Sequence, residues 1–82
     1  MPRYYIDTDD GVLPVRDDMG QDFARVVAAR DLAQRVLSEM ARQQLPDGER
    51  RVFTASVRDE GGTILYIATL TLVGEWTVPP PS

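Results

Sequence analysis

The sequence predicts an α+β domain of order ββαββ, with one long helix packed on one face of a four-stranded antiparallel sheet. Three observations predict it. Val26 to Leu45 carries apolar residues at helical spacing. Arg51–Asp59 and Thr63–Val73 alternate with a period of two on either side of a Gly-Gly turn. Arg3–Asp7 is rich in aromatic and β-branched residues and runs into an Asp-Gly turn. A chain of 82 residues holds one domain. Residues 1–73 are expected to form it, with 74–82 as a flexible proline-rich tail.

The first strand is Arg3-Tyr4-Tyr5-Ile6-Asp7. Asp9-Asp10-Gly11 turns the chain, because Asp and Gly tolerate positive φ. Val12–Arg16 returns as a second strand. Pro14 cannot donate to a ladder, so this strand belongs at a sheet edge. Asp17-Asp18-Met19-Gly20 is a second turn.

The helix starts near Ala24 or Arg25, with Asp22 as candidate N-cap, and ends near Gln44. Its apolar stripe is Val26, Val27, Ala29, Leu32, Ala33, Val36, Leu37, Met40 and Ala41. Pro46-Asp47-Gly48 stops it.

If Gly61-Gly62 is a two-residue hairpin loop, Phe53 faces Leu70, Ala55 faces Ala68 and Val57 faces Tyr66, all on one side. The opposite side then carries Thr54, Ser56, Arg58, Thr69 and Thr71 with Leu65 and Ile67. The expected core is Tyr4, Ile6, Phe23, Leu32, Val36, Met40, Phe53, Val57, Tyr66, Leu70 and Leu72.

Composition removes many chemistries. Without cysteine there is no disulfide and no thiolate zinc site. Without histidine the commonest metal ligand and the usual neutral-pH base are missing. Without lysine there is no Schiff-base chemistry. No cofactor is expected and no enzyme activity. The opening residues run into a strand rather than a 7–15-residue apolar core, so no secretory signal is expected. No stretch approaches the ~20 apolar residues of a membrane span, and the expected location is the cytoplasm.

Several segments fall in a recognisable order. They are Met1-Pro2-Arg3-Tyr4-Tyr5, Asp10-Gly11, Asp17-Asp18-Met19-Gly20, Ala28-Ala29-Arg30, Leu45-Pro46-Asp47-Gly48 and Val57-Arg58-Asp59-Glu60. In this the chain resembles a family of short uncharacterised proteins of rhizobia and related alphaproteobacteria that begin Met-Pro-Arg-Tyr. The resemblance covers about residues 1 to 73 and implies the fold and a bacterial origin, with no activity attached. Ala24-Arg25 replace that family's usual proline and capping residue, which bears on where the helix starts.

Candidate sites follow from what remains. Asp7, Asp9, Asp10, Asp17, Asp18 and Asp22 form an acidic stretch. Counted from Asp7, an EF-hand would need Gly at Val12 and Glu at Asp18, so no metal site is expected and the aspartates are assigned to turns. Arg3, Arg50, Arg51 and Arg58 near Tyr5 could form a basic patch. A net charge of −4 opposes nucleic-acid binding, which stays the alternative function. The favoured expectation is a protein-interaction or regulatory module. One helix covers one sheet face, so Tyr5, Leu65 and Ile67 are expected to lie exposed on the other as an interaction surface. The partner would be a second copy, giving a homodimer, or another protein of unknown identity.

Overall fold

Apolar alternation accounts for the three long strands of the computed structural model, which describes residues 2–81. Strand β1 is Arg3–Asp9, β2 is Pro14–Val15 and β3 is Gln21–Asp22. Helix α1 is Val26–Gln44, followed by β4 at Arg50–Arg58 and β5 at Ile64–Val73. The sheet is antiparallel, in the order β2-β1-β4-β5, with β3 also pairing β1.

The sheet therefore has five strands rather than the expected four. The expected second strand is shortened because Asp10 competes for its backbone: one carboxylate oxygen accepts the N–H groups of both Val12 and Leu13. Strand β3 forms where the sequence suggested only the approach to the helix. It pairs Arg3 with Asp22 and Tyr4 with Gln21. Asp22 is thus a strand residue, ion-paired to Arg3 at 3.2 Å, and not the N-cap. Arg25 occupies the cap position without a side-chain hydrogen bond, and the helix begins at Val26.

The outer side of β1 is occupied along its length. β2 pairs at Thr8 and Asp9, and β3 pairs at Arg3 and Tyr4. In the gap between them, the Asp17 carboxylate accepts the Ile6 N–H at 3.1 Å.

The helix ends as expected at Gln44, just before Pro46. Its buried residues are Ala29, Ala33, Leu37 and Ala41, one every fourth position. Three alanines let the backbone settle closely onto β4, where Phe53, Ala55 and Val57 are fully buried. Tyr4, Ile6, Leu32, Met40 and Tyr66 pack around this centre, partly buried. Leu70 was expected in the core but is 41% exposed, because the narrow alanine stripe sits chiefly over β4 and leaves β5 on its flank. Ala33 has no room to grow. Ala33→Leu should destabilise the domain by about 1–3 kcal/mol through overpacking. A urea midpoint equal to that of the wild type would show that the helix can lift without cost.

The hairpin pairs Phe53 with Leu70, Ala55 with Ala68 and Val57 with Tyr66, as the alternation predicts. The turn differs from the assumption behind that register. Three residues, Glu60-Gly61-Gly62, link Asp59 to Thr63, with Gly62 at φ +88° and its N–H bonded to the Asp59 carbonyl. A bulge at Leu65 absorbs the odd residue: Arg58 pairs with Ile64 while Val57 pairs with Tyr66. Residues 74–81 beyond β5 lie outside regular secondary structure.

Candidate interaction surface

The open face of the sheet is organised by Arg58. Alternation along β4 puts this residue opposite the helix, beside Tyr5 of β1. Its Nε donates to Asp7 Oδ2 at 2.8 Å and one Nη to the Asp17 carbonyl at 2.6 Å. The guanidinium also stacks 4.4 Å from the Tyr5 ring centre. Asp7 accepts in turn from the Asp17 N–H at 2.8 Å. The result is a partly buried polar node that fastens the 17–20 loop onto the sheet. Gly20 completes it. At φ +68° it lies so close to Tyr5 that an added Cβ would sit 2.7 Å from the ring.

A second buried arginine, Arg51, works at the other end of β4 on the helix side. It donates to the Asp10 carbonyl and to the Asp47 carboxylate, and lies 5.2 Å from the centre of the Phe53 ring. It ties the β1–β2 turn to the loop after the helix.

These contacts decide two readings of the sequence. The arginines do not form one basic patch. Arg3, Arg51 and Arg58 are each paired with carboxylates at separate places, and Arg50 stands apart as an exposed residue. The aspartates serve turns: Asp9 accepts from Gly11 N–H, Asp10 from Val12 and Leu13, and Asp17 from Met19 and Gly20.

Two carboxyls are held below the ordinary carboxylate range. For Asp10 the cause is chiefly the N–H groups of Leu13 and Val12. For Asp17, burial pushes upward as the largest single influence, but the N–H groups of Gly20, Ile6 and Met19 and the Arg58 charge together outweigh it. A lowered folded value means that these carboxylates stabilise the fold above the unfolded value of about 3.8, and that this contribution fades as pH falls through the folded value. The urea midpoint of the wild type should therefore drop as pH falls below about 4. Asp17→Asn should lower the midpoint at pH 7 and make the acid slope shallower. Parallel slopes for the two proteins would rule out this contribution from Asp17.

The expected surface of Tyr5, Leu65 and Ile67 is not one patch. Tyr5 is half-buried beneath Arg58 and against Gly20. Ile67 is 59% exposed, but it shares the open face with polar Thr54, Ser56, Thr69 and Thr71. The bulge turns Leu65 away from Ile67, into a groove with Tyr4, Val26, Val27, Arg30 and Tyr66 at the start of the helix.

The apolar surface instead follows the outer strand. β5 has ten residues and pairs only with β4, so its far side carries unpaired backbone groups. No Asp, Glu, Lys or Arg occurs from Thr63 to Gly74. Ile64, Leu65, Ile67, Leu70 and Val73 are all exposed along it, and Trp76 and Val78 continue the apolar character into the tail. The signal for this strand was present in the sequence as a long uncharged run. The buried arginines had a weaker one: Arg51 falls in phase with Phe53, Ala55 and Val57, while nothing local marks Arg58.

Among the described residues no helix is long and apolar enough to cross a membrane. A family model described as a domain of unknown function, DUF6894, matches residues 3–71. No curated protein and no solved structure matches the chain.

Proposed function

The chain belongs to the DUF6894 family, and we propose that it acts as a non-enzymatic protein-interaction module, or a regulator working through such contact. One observation carries the reading: β5 is a long, uncharged outer strand with five exposed large apolar side chains and an unpaired backbone edge. Its polar groups speak for the same role. The described arginine and aspartate clusters are engaged in holding loops, which supports a structural use for them and leaves contact as the better account of the surface.

The test compares the wild-type chain with Ile67→Asp, a substitution at an exposed position. Each is immobilised, and proteins retained from a cell extract are quantified by mass spectrometry. A defined protein, or further copies of this chain, should be held by the wild type and lost from the variant. Equal retention by both would dismiss β5 as the contact surface.

A further inference from the structure

We propose that β5 pairs antiparallel with β5 of a second copy, and that Trp76 of each chain seats in the partner's groove lined by Tyr4, Val26, Val27, Leu65 and Tyr66. This rests on reading β5 as a contact surface, and names what covers it.

Symmetry makes the fit. A two-fold axis normal to the sheet pairs identical edge strands antiparallel and keeps both helices on the same face. The groove lies at the start of β5, at Leu65 and Tyr66, and Trp76 lies just beyond its end. The midpoint between those positions is near Leu70 and Thr71, within the regular part of the strand. An axis placed there brings each Trp76 level with the other chain's groove.

The faces agree as well. Leu70 and Leu72 pair with Phe53 and Arg51 and so lie on the helix side. If the dimer keeps the chain extended beyond Gly74, Trp76 falls in the same phase, and the groove is also on the helix side. Gly74 continues the ladder, its N–H bonding the Glu49 carbonyl at 2.6 Å. Trp76, at 60% exposure, lacks a seat in its own chain. Arg30 at the groove offers a cation to the indole face.

The chain exposes more surface than a compact monomer of its mass. A monomer of 9.2 kDa should expose roughly 4,900 Å². This one exposes 5877 Å². The surplus lies with the projecting tail that carries Trp76 and with the exposed side chains of β5, both of which the dimer would cover in part. The Cα radius of gyration, 15.5 Å, likewise exceeds the roughly 12 Å expected for a compact chain of this length. The longest dimension, 56 Å, outruns both the helix and β5, so the tail projects from the body.

Sedimentation equilibrium and intrinsic fluorescence test this together, since Trp76 is the only tryptophan. The wild type should sediment at twice the 9.2 kDa chain mass, with Trp76 emission shifting to the blue as dimer forms. Thr71→Lys places two ammonium groups near the axis and should weaken the dimer by roughly a hundredfold or more. Its emission should match that of solvent-exposed tryptophan, with an unchanged far-ultraviolet circular dichroism spectrum. Trp76→Ala should weaken the dimer by roughly thirtyfold. A wild type that stays monomeric at millimolar concentration overturns the inference, even if the capture experiment finds a different protein on β5. So does a dimer indifferent to Thr71→Lys, or one whose Trp76 emission stays that of exposed indole.

Discussion

Arg58→Met should cost the domain about 3–5 kcal/mol, the penalty for removing one partner of a buried ion pair. Methionine keeps the apolar stem and removes every donor. Asp7, whose side chain is only 24% exposed, would be left as an uncompensated carboxylate. The Asp17 carbonyl would lose its charged donor and the Tyr5 ring its cover. The 17–20 loop would then be held by the Asp17 hydrogen bonds and by Arg3, which donates to the Met19 carbonyl. The exposed ion pairs of the molecule do not compare. Arg30 and Asp31 are 45% and 49% exposed at the side chain, and such a pair contributes about 0.2–1 kcal/mol at most. Urea unfolding of Arg58→Met, Asp7→Asn and the double variant measures the coupling. A loss under about 1 kcal/mol for Arg58→Met would mean that water reaches the node and solvates Asp7.

Phe53→Ala should be equally severe, at about 3–5 kcal/mol. Phe53 is fully buried at the centre of the helix–sheet contact. Its neighbours there include Ala55 on the strand and Ala33 and Ala41 on the helix, which are too small to reach into the space. Arg51 would also lose the ring beside its guanidinium. A folded chain of this length is stable by about 4–12 kcal/mol, at roughly 0.05–0.15 kcal/mol per residue, so either substitution could leave a substantial unfolded population. Calorimetry of Phe53→Ala should show a melting temperature far below that of the wild type. A drop of less than about 4 °C would show that the helix collapses into the cavity.

The parts of this fold legible in the sequence are those encoded locally. The helix from Val26 to Gln44 announces itself by period and by Pro46. The pairing of Phe53 with Leu70 follows from alternation, although a three-residue turn and the Leu65 bulge together restored a register inferred from a two-residue loop. What sequence concealed depends on distant partners. Gln21-Asp22 is too short and polar to read as a strand without β1 beside it. Arg58 looks like an ordinary surface charge until Asp7, 51 residues earlier, is placed against it. For the same reason Tyr5 looked available for contact. Leu70 looked buried because alternation gives a face but not how far a helix spreads across it.

The filled outer margin of β1 has a consequence for how large any assembly can become. With β2, the Asp17 carboxylate and β3 in line there, an incoming strand finds its places already taken. A sheet able to accept neighbours from one direction only stops growing after a single addition. Association through β5 would end in a closed pair rather than an open-ended fibre, however oily that strand is.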